Sequence, residues 1–369
     1  MRLTHYCNRL HSDQTCKWQS LVLFAIKLAR PENPWGQRLR DQPATIRDVA
    51  RMAGLSVASV SRVLNHHENV HPDTRERVLA AVRVLGYVPN AAARSLSTAR
   101  TQAIGVVLPD LHGEFFSELV RGMDKAASER GYMLLLSNIH ADSQLAGQAM
   151  SAMLGRVDGM VVMAPQISAS ELEMVLPRGI PAVLLNSPAE RGFQAIKIDN
   201  RAGVRLMVRH MLDNGRKRIV HLSGPPGNID SAERRKAFTE AMEDFASDLP
   251  ARVVEGDFTE ASGEALVAAL LAEKAEFDAI FAANDMMAMG VLMALREAGI
   301  AVPGKVSVAG YDDIPLARYL DLSTVRCDMV GMGALAIGRV LDQIDKKPQG
   351  EALEQIEPEL VVRQTTGKG

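Results

Sequence analysis

The chain has 369 residues, 47% of them hydrophobic and 23% charged, with three cysteines and a formal net charge of −2. Those figures suit two or three soluble domains and exclude a collagen-like or wholly disordered chain, a disulfide scaffold and a four-cysteine zinc site. Charge is unevenly placed: residues 1–43 carry seven Lys/Arg against three Asp/Glu, residues 44–100 carry eight arginines against four acids, and residues 101–369 carry 27 against 37, so the front and not the body is suited to a polyanion.

Residues 1–43 hold both tryptophans, Trp18 and Trp35, around one apolar patch, Leu21 to Ile26. Lys27 interrupts the patch, Pro31 and Pro34 break any helix it begins, and no small-residue cleavage site follows, so it makes a poor signal peptide. The stretch reads as a disordered leader or a start set too far upstream; an added interaction arm is the alternative. Cys7 and Cys16 lack a matching pair, and no metal is expected. The longest apolar runs of the chain are strand-sized, too short to span a membrane, and a reducing cytoplasm is the expected setting.

From Thr45 the texture changes. Thr45-Ile46-Arg47-Asp48 reads as an N-cap followed three residues on by an acid. Ile46, Val49, Ala50 and Ala53 then share one helical face, and Gly54 permits a tight turn. Ser56 caps a second helix, Val57 to Leu64, with Val60, Val63 and Leu64 inward and Val57, Ala58, Ser61 and Arg62 outward. A third helix runs from about Pro72 to Leu85, with Val78, Leu79, Val82 and Leu85 inside and Gly86 at its end. Two short helices joined by a glycine turn suit a recognition helix in a major groove; a ligand-free three-helix bundle is the plain alternative.

The string from Thr45 to Asn65, with Thr74-Arg-Glu-Arg-Val and Leu85-Gly-Tyr-Val-Pro-Asn90, resembles the DNA-binding headpiece of the lac repressor (LacI/GalR) family. The resemblance implies a helix-turn-helix headpiece over 44–89 that binds double-stranded operator DNA. It puts Val57, Ala58, Ser61 and Arg62 toward base edges, and Thr45, Ser56, Ser59, Asn65, Thr74, Tyr87 and Asn90 near the phosphate backbone. The chemistry agrees: a guanidinium donates twice to guanine, and Val57 and Ala58 suit thymine methyls. Ser59 stands where the family usually has Thr, and His71 where a Ser often caps the third helix. Residues 90–101 are short and alanine-rich, too short for a stable isolated helix; the resemblance makes them the hinge helix, with Leu96 as its minor-groove wedge. A mere linker is the alternative.

After residue 101, short β runs alternate with helical patterns. Strands are expected at Ile104–Leu108, Met133–Leu136, Gly159–Met163, Ala182–Leu185 and Ala195–Ile198, then at Ile219–Leu222, Arg252–Glu255, Ala279–Ala282 and Val306–Ala309. Helices are expected between them, for example over 114–130, 200–214, 231–246, 260–272, 285–298 and 329–344. Alternation implies parallel sheets, two sets imply two lobes, and ligands then bind at the carboxyl ends of the strands. Strings such as Ile198-Asp-Asn-Arg-Ala-Gly203, Ala283-Asn-Asp-Met286 and Gly310-Tyr-Asp-Asp-Ile314 resemble the effector domain of the same family. They imply a two-lobed α/β type I periplasmic-binding-protein-like domain over 102–369, which binds effector and dimerises.

Phe115, Phe116, Asn186, Arg234, Phe258, Asn284 and Asp312 follow strands or face the expected cleft. The resemblance places Phe116, Asn186, Arg234, Phe258, Asn284 and Asp312 at effector positions. Aromatic faces, amides, one guanidinium and one carboxylate suit a neutral polyol. Asn284 could instead cap the next helix, and Asp313 is expected at the surface. Gly331-Met-Gly-Ala-Leu-Ala336 has too little chain after it for a dinucleotide site, and Ser223-Gly-Pro-Pro-Gly227 lacks a phosphate loop's ending. The expectation is therefore a non-enzymatic, cofactor-free, cytoplasmic DNA-binding regulator. It is read as a homodimeric repressor of carbohydrate genes, released by a sugar-like inducer, with no membrane partner; no C-terminal heptad segment follows Arg363 to pair dimers. A co-repressor-dependent regulator sensing a purine-like or phosphorylated ligand is the runner-up, and a sugar-binding receptor module a further alternative.

Overall fold

A computed structural model describes residues 44–64, 69–88, 100–140, 142–188, 192–348 and 350–367. The leader, hinge residues 90–99 with Asn90 and Leu96, and Asn65 lie outside the described residues. The chain divides into two units, Met1–Ala99 and Arg100–Gly369.

The first unit contains α1 (Ile46–Ala53), α2 (Val57–Leu64) and α3 (Pro72–Leu85). At the start of α1, the Asp48 carboxylate accepts from Thr45 N (3.0 Å) and Thr45 Oγ1 (2.6 Å), which satisfies a backbone donor that a helix start leaves open. Gly54 ends α1 at φ 62°, ψ 41°. Val49, Ala50, Ala53, Val60, Val63, Val78, Ala81 and Leu85 form the buried core, each valine contributing about 1.5–3 kcal/mol by leaving water. Leu79 was expected inside and is 40% exposed; the inward stripe of α3 is Val78, Ala81 and Leu85, three and four residues apart. Ile46, Leu64 and Val82 are half-buried at its edge. His71 does cap α3, its Nδ1 accepting from Asp73 N at 3.4 Å.

Gly54 carries a direct prediction. Its left-handed backbone disfavours any L side chain, and an added Cβ would stand 3.0 Å from an Arg77 guanidinium nitrogen, which itself bonds the Ala53 carbonyl. Gly54→Ala is expected to destabilise the headpiece by about 1–2 kcal/mol, read as faster hydrogen exchange of the α1–α3 amides.

The second unit holds two parallel sheets. Lobe 1 contains β1 (Ala103–Leu108), α4 (Glu114–Glu129), β2 (Met133–Asn138), α5 (Ser143–Met153), β3 (Gly159–Met163), α6 (Ala169–Val175), β4 (Ala182–Leu185) and β5 (Gln194–Ile198). Lobe 2 follows with α7 (Asn200–Asp213), β6 (Ile219–Ser223), α8 (Ile229–Phe245), β7 (Arg252–Glu255), α9 (Glu260–Ala272), β8 (Ala279–Ala282), α10 (Asp285–Glu297), β9 (Ser307–Ala309) and α11 (Pro315–Tyr319). The chain then runs through β10 (Thr324–Arg326), α12 (Met329–Ile344), β11 (Leu353–Ile356) and β12 (Glu359–Val361). The sheet orders are β11-β5-β4-β3-β1-β2 and β7-β6-β8-β9, with β10 and β12 an antiparallel pair.

The nine expected strands all form, within one or two residues of their expected ends. The last part of the chain was not expected to add strands, yet β11 pairs in parallel with β5, so lobe 1 is completed only after lobe 2 has been traced. α12 returns with it and packs on α4 at two glycines: a Cβ on Gly122 would run into the Val330 carbonyl, and one on Gly333 into that of Leu119. Such close helix contact needs residues without a side chain. Among the described residues no helix is long and apolar enough to cross a membrane.

Candidate functional site

The residues singled out in the sequence gather on two surfaces, one in each unit. On α2, successive residues turn about 100°, so Val57, Ser61, Ala58 and Arg62 occupy an arc of roughly 140° opposite buried Val60 and Val63. Val57 (42%), Ala58 and Arg62 are exposed, and Ser61 is half-buried. Ser56 Oγ accepts from Ser59 N at 3.1 Å and lies 2.9 Å from Ser59 Oγ, so these two hydroxyls fix the start of α2. Thr45 directs both its backbone and hydroxyl protons to Asp48, and a phosphate contact there would have to compete with that carboxylate. Thr74 and Tyr87 are half-buried, Tyr87 packing on the headpiece core.

In the second unit, a cavity of about 160 Å³ lies between the lobes at the carboxyl ends of β1, β3, β6, β7, β8 and β9. The lobes meet around it: Ile229 N donates to the Pro165 carbonyl at 2.9 Å, Leu316 N to Glu114 Oε2 at 3.0 Å, and His112 Nε2 lies 3.1 Å from Glu260 Oε2. Phe115 and Phe116 form one wall, edge to face at 5.3 Å. Phe258 faces the cavity from lobe 2 at φ 72°, its ring lying against Gly224, where a Cβ would collide with it.

The sequence reading is sharpest at Arg234 and Asp312, which line the cavity 4% and 5% exposed. Arg234 donates from Nε to Asn200 Oδ1 (2.8 Å) and from a terminal nitrogen to the Ala283 carbonyl (2.5 Å). Its guanidinium stacks 3.7 Å from the Tyr311 ring centroid, and its other terminal nitrogen is 3.7 Å from Asp312 Oδ1. That Asp312 oxygen is buried with no hydrogen-bond partner, and the residue sits at φ 110°, a strained backbone of the kind that gathers at functional sites. Burial pushes the Asp312 carboxyl up to about 7, with Arg234 pulling it back.

Two expected contacts are otherwise engaged. Asn186 does not line the cavity: it is buried, and its Oδ1 accepts from Ile198 N at 3.2 Å. It follows β4, but φ 38° turns it back toward β5. Asn284 does line the cavity and also caps α10, Oδ1 accepting from Met287 N (2.9 Å) while Nδ2 donates to the Phe258 carbonyl (2.9 Å). It therefore positions Phe258. Asp313 is not at the surface: its side chain is 8% exposed between Arg326 (2.8 Å) and Arg363 (2.6 Å).

The sequence reading missed Asp230, Gln166, Asp110 and Asp257, all on the cavity wall. Asp230 was findable, since it stands one helical turn before Arg234; Asn200 Nδ2 donates to it at 2.8 Å, and burial raises its carboxyl too.

The raised carboxyl gives a pH prediction. The folded chain keeps a proton on Asp312 that the unfolded chain loses near pH 4, so this residue's contribution to stability falls as pH rises from about 4 to 7. Asp312→Asn is expected to flatten that fall, so that the melting temperature drops less between pH 5.5 and 8 than in the wild type, measured by thermal unfolding at both values.

Comparison with known proteins bears on both surfaces. Residues 45–90 match the family described as bacterial regulatory proteins, lacI family, and residues 208–366 a periplasmic binding protein-like domain. The HTH-type transcriptional regulator GalS of Salmonella typhimurium is 37% identical over 79% of this chain and 87% of its own length. The ribose operon repressor of Halalkalibacterium halodurans is 34% identical over 88% and 98%. Among solved structures, the lac repressor dimer bound to operator and the anti-inducer ONPF superposes with a TM-score of 0.81 at 28% identity, covering 89% of this chain and 100% of that one.

Proposed function

Because this chain belongs to the lacI family of bacterial regulatory proteins, and is thus a DNA-binding transcriptional regulator, we propose that it is a homodimeric cytoplasmic repressor whose operator complex is released by a sugar-like inducer of monosaccharide size. Val57, Ala58, Ser61 and Arg62 read base edges of double-stranded DNA, and Arg234 and Asp312 read hydroxyl groups of the effector. The observation that carries the reading is the buried Asp312 oxygen in a cavity between lobes, which has Arg234 3.7 Å away but no hydrogen-bond partner: an acceptor without a hydrogen bond costs about 1–3 kcal/mol, which a ligand hydroxyl offsets. The relatives do not separate a sugar from the purine-like or phosphorylated alternative, since the ribose operon repressor and a PurR repressor are both 34% identical; the sugar reading rests on the cavity.

A dimer presents two headpieces to a pseudo-palindrome. Lobe 1 supports this with β2, an edge strand whose Met133, Leu135 and Leu136 are exposed; an apolar edge of this kind is normally covered.

Selection from a random double-stranded library, repeated with and without a panel of monosaccharides, tests the proposal. It predicts one pseudo-palindromic sequence whose recovery drops with a sugar; no common sequence would contradict it. The hinge reading adds a separate expectation. Leu96→Ala weakens binding to the selected duplex at least tenfold and leaves random duplex binding unchanged, measured by fluorescence anisotropy, since a wedge acts only where the hinge helix forms. Equal losses on both duplexes would show a plain linker.

A further inference from the structure

We infer that the effector is an amino sugar, a monosaccharide-sized polyol with a protonated amine held against Asp312. This narrows the ligand class proposed above and rests on the cavity being the effector site. Among the described residues, four aspartates (Asp110, Asp230, Asp257 and Asp312) line it together with one guanidinium, that of Arg234, and His112; Asp110 and Asp257 also accept hydrogen bonds from their own loops. The Arg234 charge is largely turned to the protein, with Nε on Asn200, one terminal nitrogen on the Ala283 carbonyl and its face on Tyr311. The lining therefore attracts a cation and repels a phosphate or carboxylate.

The unpaired polar atoms point the same way. Two buried lining atoms lack a hydrogen-bond partner, Asp312 Oδ1 from lobe 2 and Gln166 Oε1 from lobe 1, and both are acceptors. A hydroxyl brings one proton and two lone pairs, so each added hydroxyl also demands donors from the wall. An ammonium brings three protons and no lone pair. Two buried unpaired atoms that are both acceptors match the ammonium better. The Phe115–Phe116 pair and Phe258 supply aromatic faces that favour a nearby cation further.

The test is isothermal titration of the full chain with glucosamine, galactosamine and mannosamine, each beside its parent hexose, its N-acetyl derivative and the 6-phosphate of the parent hexose. The parent tests the hydroxylated ring alone, and the N-acetyl form keeps the nitrogen but removes its charge. One amine is expected to bind at least tenfold more tightly than its parent and its N-acetyl form, and to lose affinity with added salt while the parent hexose does not. Asp312→Asn should cut the amine's affinity at least tenfold and narrow its advantage over the parent. A hexose that binds as well as its amine overturns the amino sugar assignment and leaves the sugar effector reading standing. Silence from every amine overturns the assignment as well, and a response to sugar phosphates alone would overturn both readings.

Discussion

Replacing Arg234 with methionine should remove about 3–5 kcal/mol from the stability of the effector-binding unit, the usual result of deleting one member of a buried ion pair. The residue is 4% exposed, and its loss leaves Asp230 and Asp312 buried without a counter-charge and Asn200 Oδ1 and the Ala283 carbonyl without their donor. Both carboxyls already titrate above the ordinary range because they are buried, and without the guanidinium they rise further. The folded state then holds protons that the unfolded state has released, so the variant should be worse at pH 8 than at pH 6. Asp312→Asn in the same chain should restore part of the loss at pH 8, because the amide replaces a charge with no partner. Urea unfolding of the single and double variants at both pH values measures the coupling. Additive effects would show that Arg234 and Asp312 do not act as a pair.

Arg62→Ala has the larger effect on function. Arg62 lies on the exposed arc of α2 with Val57 and Ala58, and a bidentate contact to guanine contributes about 1–3 kcal/mol of discrimination. The expected outcome is operator binding weakened by that amount, with preference relaxed at one symmetric base pair and kept elsewhere. A uniform loss across all sequences, with selectivity unchanged, would make Arg62 a phosphate contact and move base reading to another residue.

How far these features were legible in the sequence depended on how local their causes are. The nine expected strands are short apolar runs bounded by turns, and buried parallel strands carry that signature. β11 reads Leu353-Glu-Gln-Ile, half polar because it is the edge of its sheet, and no local pattern tells that it joins β5, more than 150 residues earlier. The headpiece was legible because its caps, glycine turn and inward residues all lie within 42 residues. Leu79 was misplaced because it neighbours Val78 on the helical wheel, and only packing decides how wide the inward stripe is. In the cavity, Arg234 and Asp312 were legible as charges at cleft positions. Asn186 was not, since its place after β4 suggests a pocket residue while its backbone turns it toward Ile198. The Asn200 link to Arg234 and Asp230 spans 34 and 30 residues, and nothing in spacing reveals it.

Ligand in the cavity is expected to change how the headpiece holds DNA. A ligand can do so only through unequal affinity for two arrangements of the protein, and such couplings usually amount to 1–3 kcal/mol, or about 5–150-fold. The direct measurement is the anisotropy of a labelled operator duplex titrated with the full chain, with and without a saturating ligand already shown to bind by titration calorimetry. Operator affinity is expected to be at least fivefold weaker with ligand in the wild type, and Asp312→Asn to need at least tenfold more ligand for the same change. A ligand that binds the cavity while operator affinity stays the same would contradict this coupling.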